Sequence, residues 1–245
     1  MYKEFSNIYD TLMEDVNYNT WTGYIIQLFK RHDVKPEKIL DLACGTGNIT
    51  VPLSKLGFNV CGVDISESML TIAENKSRLN RCNIRFIHQD IRNLNLPGKF
   101  DAVTCACDGI NYILKEDELI STFLRIYDIL NQGGILIFDI SSYFKLRFLL
   151  GNNTLFEEKN DICYCWENEF NIDSSIIKMR LNFFVPKGNL YYRFEEIHYQ
   201  KAYKKNFIIN SLKACGFFSI NCYESFAFNE PKETNERIFF TAKKQ

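Results

Sequence analysis

Seven residues, Asp41-Leu42-Ala43-Cys44-Gly45-Thr46-Gly47, stand between a short apolar run and a helix-periodic one, and no other feature restricts the fold of this chain as much. Lys38–Leu42 reads as a strand, and Gly45 and Gly47 then allow a sharp turn in which backbone can approach a ligand closely because no Cβ intervenes. The same alternation continues as far as Asp139. Strands are expected at 58–64 after a helix ended by Gly57, at 84–88, at 100–105 after Pro97-Gly98, and at 134–139 after Asn131-Gln132-Gly133. Between them, Ser66 before Glu67 marks a helix start, and 116–130 carries a helical stripe of Leu119, Ile120, Phe123, Ile126, Tyr127 and Leu130. Short apolar strands separated by helices imply a parallel sheet covered on both faces.

Beyond Asp139 the period changes. Residues 157–203 read as antiparallel strands, with Ile177, Met179, Leu181 and Phe183 alternating with Lys178, Arg180 and Asn182, and with a turn at 186–189. A helix over 204–214 stops at Gly216, and strands at 217–226 and 237–242 are separated by a polar stretch, 229–235, suited to a hairpin. The expected fold is α/β: a seven-stranded, mostly parallel sheet with helices on both faces, an antiparallel C-terminal hairpin and a small antiparallel β insertion after the fifth strand. Residues 1–140 and 204–245 should form the Rossmann-like domain, and 141–203 the inserted subdomain.

Charge and cysteine usage exclude several classes. With 29 basic and 30 acidic residues among 245, no global field draws the chain to DNA or to a membrane surface, and RNA is left open without support. Nine cysteines, an odd number with no apolar leader at the amino end, argue against a secreted disulfide framework. The Cys105/Cys107 and Cys163/Cys165 pairs have the spacing of one strand face and not of a zinc site, so no metal is expected. No run approaches the ~18 apolar residues of a membrane span. A reduced, cytoplasmic protein is expected; its oligomeric state is not legible.

A dinucleotide fingerprint would place glycine where Thr50 stands, and here the run opens with Asp41 instead. A pyrophosphate favours a bare helix terminus, whereas a ligand bearing an ammonium and a sulfonium is better served by a carboxylate. Asp64, at the tip of the second strand, can accept hydrogen bonds from both hydroxyls of an adenosine ribose. The segment 38–140 thus resembles the class I S-adenosylmethionine-dependent methyltransferases, whose first motif runs acidic-x-Gly-x-Gly-x-Gly; Ala43 takes the place of the first glycine. His88-Gln89-Asp90-Ile91 resembles the family's third motif, and Cys105-Ala106-Cys107-Asp108 the end of its fourth strand.

The resemblance implies S-adenosylmethionine as cofactor, held by Asp41, Ala43, Cys44, Gly45, Gly47, Asp64, Ile65, Met69, Asp90, Ile91 and Ala106. Residues 2–10 and Trp21 resemble a lid helix, within 1–30, of a bacterial subgroup of methyltransferases with an inserted β subdomain, which adds Tyr9 and Trp21 to the cofactor contacts. The same subgroup is similar at 193–198. In-line transfer to a small-molecule acceptor is expected; RNA or protein acceptors, or a catalytically silent S-adenosylmethionine-binding protein, are the alternatives. Glu196 and His198 share one strand face and are the candidate acid–base residues, with Asn111, Tyr112 and Arg193 as candidate acceptor contacts. Arg193 joins that face only if a bulge intervenes. His32 and His88 are expected to be structural.

Overall fold

The computed structural model describes residues 4–245, so Tyr2 and Lys3 of the proposed lid segment lie outside the described residues. Two helices come first, α1 (Phe5–Leu12) and α2 (Tyr18–Arg31), the second capped by the Asn17 side chain accepting from the Thr20 N–H at 3.1 Å. The main α/β run then comprises β1 (Lys38–Leu42), α3 (Thr50–Lys55), β2 (Asn59–Asp64), α4 (Glu67–Leu79), β3 (Arg85–His88), β4 (Phe100–Cys105), α5 (Glu116–Ile129) and β5 (Leu130–Ser141). Ser66 caps α4 by accepting from the Met69 N–H, and three acids in the first turn of α5 oppose its dipole. A π-helical turn, Lys145–Leu150, leads into β6 (Thr154–Lys159), β7 (Ile162–Asn171), β8 (Ile176–Lys187) and β9 (Leu190–Lys201). The chain ends with α6 (Lys205–Ala214), β10 (Phe218–Glu224) and β11 (Arg237–Lys243).

Seven strands form one sheet in the order β10-β11-β5-β4-β1-β2-β3, with β11 antiparallel to both its neighbours. Strand alternation sorts the core onto its two faces. Leu40, Leu42, Phe138 and Phe240 meet α5 and α6, while Ile39, Val60, Ala102, Ile137 and Phe239 meet α2 and α3. The second sheet is a four-stranded antiparallel meander, β6-β7-β8-β9. Its inner face packs Ile162, Phe183 and Phe194 against Phe5, Ile8 and Leu12 of α1 and Met69 of α4. Helix α1 is therefore packed between the second sheet and α4.

Two local expectations are corrected. Strand β5 begins at Leu130, four residues before the expected start, because parallel pairing with β4 is already present at Phe100↔Leu130. Pro186 and Lys187 belong to β8, and the turn is the pair Gly188-Asn189, with Gly188 at φ +62° as a hairpin with glycine first requires. Proline is tolerated there because the β7 pairing stops at Cys163↔Phe184, so nothing needs its missing N–H.

Candidate functional site

After Leu42 the backbone turns through three positive φ values, +51° at Ala43, +53° at Gly45 and +79° at Gly47. A Cβ built on Gly45 would meet nothing within 4 Å, so the loop opens onto free space at that point. At Gly47 it would meet the Ala73 Cβ at 3.1 Å, and glycine there lets the loop seat against α4. Asp64, 8% exposed at the end of β2, accepts the Gly45 N–H and the Ser66 N–H, each at 2.8 Å and on different oxygens. Burial raises its pKa while those backbone donors oppose the rise. Each oxygen retains accepting capacity, which suits a ligand with two adjacent hydroxyls. Asp41 lies deeper. Its oxygens accept from Thr50 Oγ1 at 2.6 Å and Thr104 Oγ1 at 2.8 Å, and burial holds its pKa up at about 6 despite these bonds. The side chain braces the loop from behind, and Asp64 is the carboxylate at the opening.

Past the end of β4, Cys107 and Asp108 are consecutive non-glycine residues at φ +59° and +54°, a geometry that costs about 1–2 kcal/mol per residue. The Asp139 carboxylate holds them there by accepting both N–H groups, at 2.7 and 3.0 Å. Arg237, at the start of β11, pairs with Asp139 and, at 2.8 Å, with Asp108, and its guanidinium lies 5.0 Å from the Trp21 ring centre. Gln200 of β9 donates to the second Asp108 oxygen at 2.7 Å. Burial lifts the Asp139 pKa to about 6, with Arg237 opposing. Four distant segments thus converge on one strained turn beside the Gly45 opening.

Helix α1 roofs this crevice. Asp10 accepts from Thr46 Oγ1 at 2.8 Å and Asn48 Nδ2 at 3.0 Å and pairs with Lys76 at 2.7 Å, which pins α1 to the glycine loop and to α4. Tyr9 is hydrogen-bonded to Tyr18, and burial pushes its pKa well up. Phe5 meets the Phe183 ring at 5.3 Å and the His198 ring at 5.8 Å. His198 Nδ1 lies 3.3 Å from Tyr112 Oη, and burial lowers its pKa to about 4.

The structure sorts the expected site residues into groups. Phe194, Glu196, His198 and Gln200 share the inner face of β9, where Tyr112 meets His198. Arg193 does not join them: the β8/β9 register is unbroken, and its exposed side chain bonds Asn182 and lies 3.9 Å from Glu195. Asn111 is fully buried and spends its amide on Ser141 N–H, Ser141 O and Lys201 O, so it ties β5 to β9 and cannot contact an acceptor. Asp90 forks onto Arg92, whose hydrogen bonds lower its pKa. Met69 is buried beneath α1, Ile65 is exposed, and Ile91 and Ala106 are half-buried against the two core clusters. Trp21 packs on Phe226 and Phe239 under Arg237. Cys44 donates its backbone N–H to Val63 O, while His88 bonds Ile65 O and His32 bonds Tyr223 and Thr241. Sequence reasoning missed Asp10, Tyr18, Gln200 and Arg237. Only Gln200 had a local signal, the strand parity it shares with Glu196 and His198.

Comparison with known proteins accords with this geometry. Residues 39–134 match a methyltransferase-domain family. The chain is 37% identical over 247 residues to "Putative methyltransferase YqeM" of Bacillus subtilis (strain 168), covering 100% of this chain and 97% of that one. It is 28% identical over 229 residues to a glycine/sarcosine N-methyltransferase of Aphanothece halophytica, covering 90% and 80% respectively. Among solved structures, an S-adenosylmethionine-dependent methyltransferase from Clostridium acetobutylicum ATCC 824 superposes with a TM-score of 0.91 at 38% identity, over 99% of this chain and 98% of that chain.

Proposed function

The chain belongs to the class I S-adenosylmethionine-dependent methyltransferases, and from that premise we propose that its acceptor is a small molecule methylated on an amine nitrogen. The cofactor supplies an activated methyl group on a sulfonium, so the protein's task is alignment and exclusion of water. Asp64 is assigned to the ribose hydroxyls, Gly45 and Gly47 to close backbone approach, and Asp41 to positioning the loop. Glu196 and His198 face the acceptor, with Tyr112 orienting the imidazole. Residues 141–203 act as an inserted unit that selects the acceptor, while 1–140 and 204–245 hold the donor.

One observation carries the small-molecule reading: the crevice lies between two sheets under α1, with Phe5 seated on Phe183 and His198. A folded macromolecule reaches such a site only through an extended arm. The amine reading follows from the low basicity of His198, which is neutral at pH 7 and a poor base for a hydroxyl, whereas an amine need only arrive deprotonated. The glycine/sarcosine N-methyltransferase of similar sequence supports it. The test is release of S-adenosylhomocysteine from S-adenosylmethionine in the presence of panels of small amines, phenols and alcohols, and of folded RNA. Turnover with amines, rising with pH as the amine deprotonates, is expected. Turnover confined to RNA or to hydroxyl acceptors would overturn the proposal.

A further inference from the structure

A second, chemically different hollow lies at the other end of the main sheet, among the amino ends of its strands. The pairings Lys38↔Asn59 and Cys61↔Arg85 place Lys38, Cys61, Arg85 and Ile87 on one face, the face that α3 does not cover at Val60. Residues 89–99 cross that face as a short 3-10 turn and loop, and leave between loop and sheet a cavity of about 220 Å³. Its floor is apolar, with Ile87, Leu96 and Phe100 beside the Cys61 thiol. Three cations line it, Lys38, Arg85 and Lys99, and no acid does, in a chain whose net charge is −1.

Among the described residues none of these three cations stands in a salt bridge; Lys99 donates only to the Asp128 carbonyl. Arg85 is close enough to act on Cys61, whose pKa burial raises and the guanidinium pulls back. An adjoining hollow shares Lys38 and Lys99 and adds Glu37 and Asp101. The Asp101 carboxylate is already occupied, accepting the Glu37 and Lys38 N–H groups at 2.9 and 2.8 Å and the Asn131 amide at 2.7 Å. Asp101 acts electrostatically on Lys38 from that adjoining hollow, but three cations and no acid line this one, and that local surplus of positive charge over an apolar floor favours an anion that also carries a hydrophobic part.

We propose that this hollow binds a small phosphorylated metabolite, with Lys38, Arg85 and Lys99 around the phosphate and Ile87 and Phe100 beneath its apolar part. The site is separate from the methyl-transfer crevice and does not depend on the acceptor assigned there. The test uses the full chain with its donor site saturated by S-adenosylhomocysteine, titrated calorimetrically with inorganic phosphate, AMP and adenosine. AMP should bind more tightly than phosphate, and adenosine should give no signal. The variant R85E/K99E should weaken AMP binding by about tenfold or more, equivalent to about 1.4 kcal/mol, while its affinity for S-adenosylhomocysteine stays that of the parent. Equal binding of adenosine and AMP, AMP binding that survives charge reversal, or no binding of AMP and phosphate up to about 10 mM overturns the proposal. A short single-stranded oligonucleotide bound far more tightly than AMP would assign the face to RNA, and also overturns it.

Discussion

Ala43 occupies a backbone conformation, φ +51°, that glycine adopts without steric cost and alanine does not. Substituting Ala43→Gly relieves a left-handed penalty of about 1–2 kcal/mol and gives back somewhat less in unfolded-chain entropy. A net stabilisation of about 0.5 kcal/mol is expected, read as a higher urea midpoint at unchanged slope; a lower midpoint would mean that the methyl contributes packing the turn needs. His198 yields a pH dependence. Its folded pKa of about 4 lies below the ordinary 6.5, so between these values the unfolded chain binds a proton that the native state refuses. The contribution is complete above pH 6.5 and is lost as pH falls toward 4, amounting to about 3 kcal/mol. His198→Gln should therefore flatten the fall of unfolding free energy over that window. An unaltered slope would place the acid sensitivity elsewhere, and not at Asp41 or Asp139, whose raised pKa values have the opposite sign and favour the native state at low pH.

Between elements, the heaviest electrostatic demand falls on Arg237, the cation that β11 supplies to carboxylates from β5 and the turn after β4. Arg237→Leu leaves Asp139 and Asp108 buried against each other without it, and should cost about 3–5 kcal/mol in unfolding free energy. The double variant Arg237→Leu, Asp139→Asn should recover part of that loss; no recovery would show that cation–π packing on Trp21 dominates. Helix α1 is held at both ends, by Asp10 on Lys76, Thr46 and Asn48, and by Glu4 accepting from Tyr192 Oη at 2.6 Å with Asp15 pairing to Lys159 at 2.5 Å. If the roof must lift for the donor to exchange, Asp10→Ala should speed dissociation of S-adenosylhomocysteine several-fold, measured by stopped flow, with little change in thermal midpoint. An unchanged rate would mean that exchange bypasses α1.

Across the whole molecule, what could be read from the chain followed the range of the interactions involved. Segments such as 38–42, 58–64 and 100–105 are largely buried and appear as short, mostly apolar runs between turns, so the parallel core and the positions of Gly45, Gly47 and Asp64 at its strand ends were legible. Strand parity placed Glu196 with His198 and set Arg193 apart from them. The network of Asp108, Asp139, Gln200 and Arg237 was not legible, since it joins residues far apart in the chain and local periodicity carries no record of such pairings. Asn111 misled for the same reason, being consumed by backbone groups of β5 and β9. The central claim, that the opening at Gly45 and Asp64 holds the methyl donor, is tested most directly by calorimetric titration of the parent and Asp64→Ala with S-adenosylmethionine and with NAD. The account predicts one donor site that ignores NAD and is weakened in Asp64→Ala by about 1.5–3 kcal/mol per charge-assisted hydrogen bond lost. Undiminished affinity in Asp64→Ala would place the ribose elsewhere, and binding of NAD without S-adenosylmethionine would contradict the account altogether.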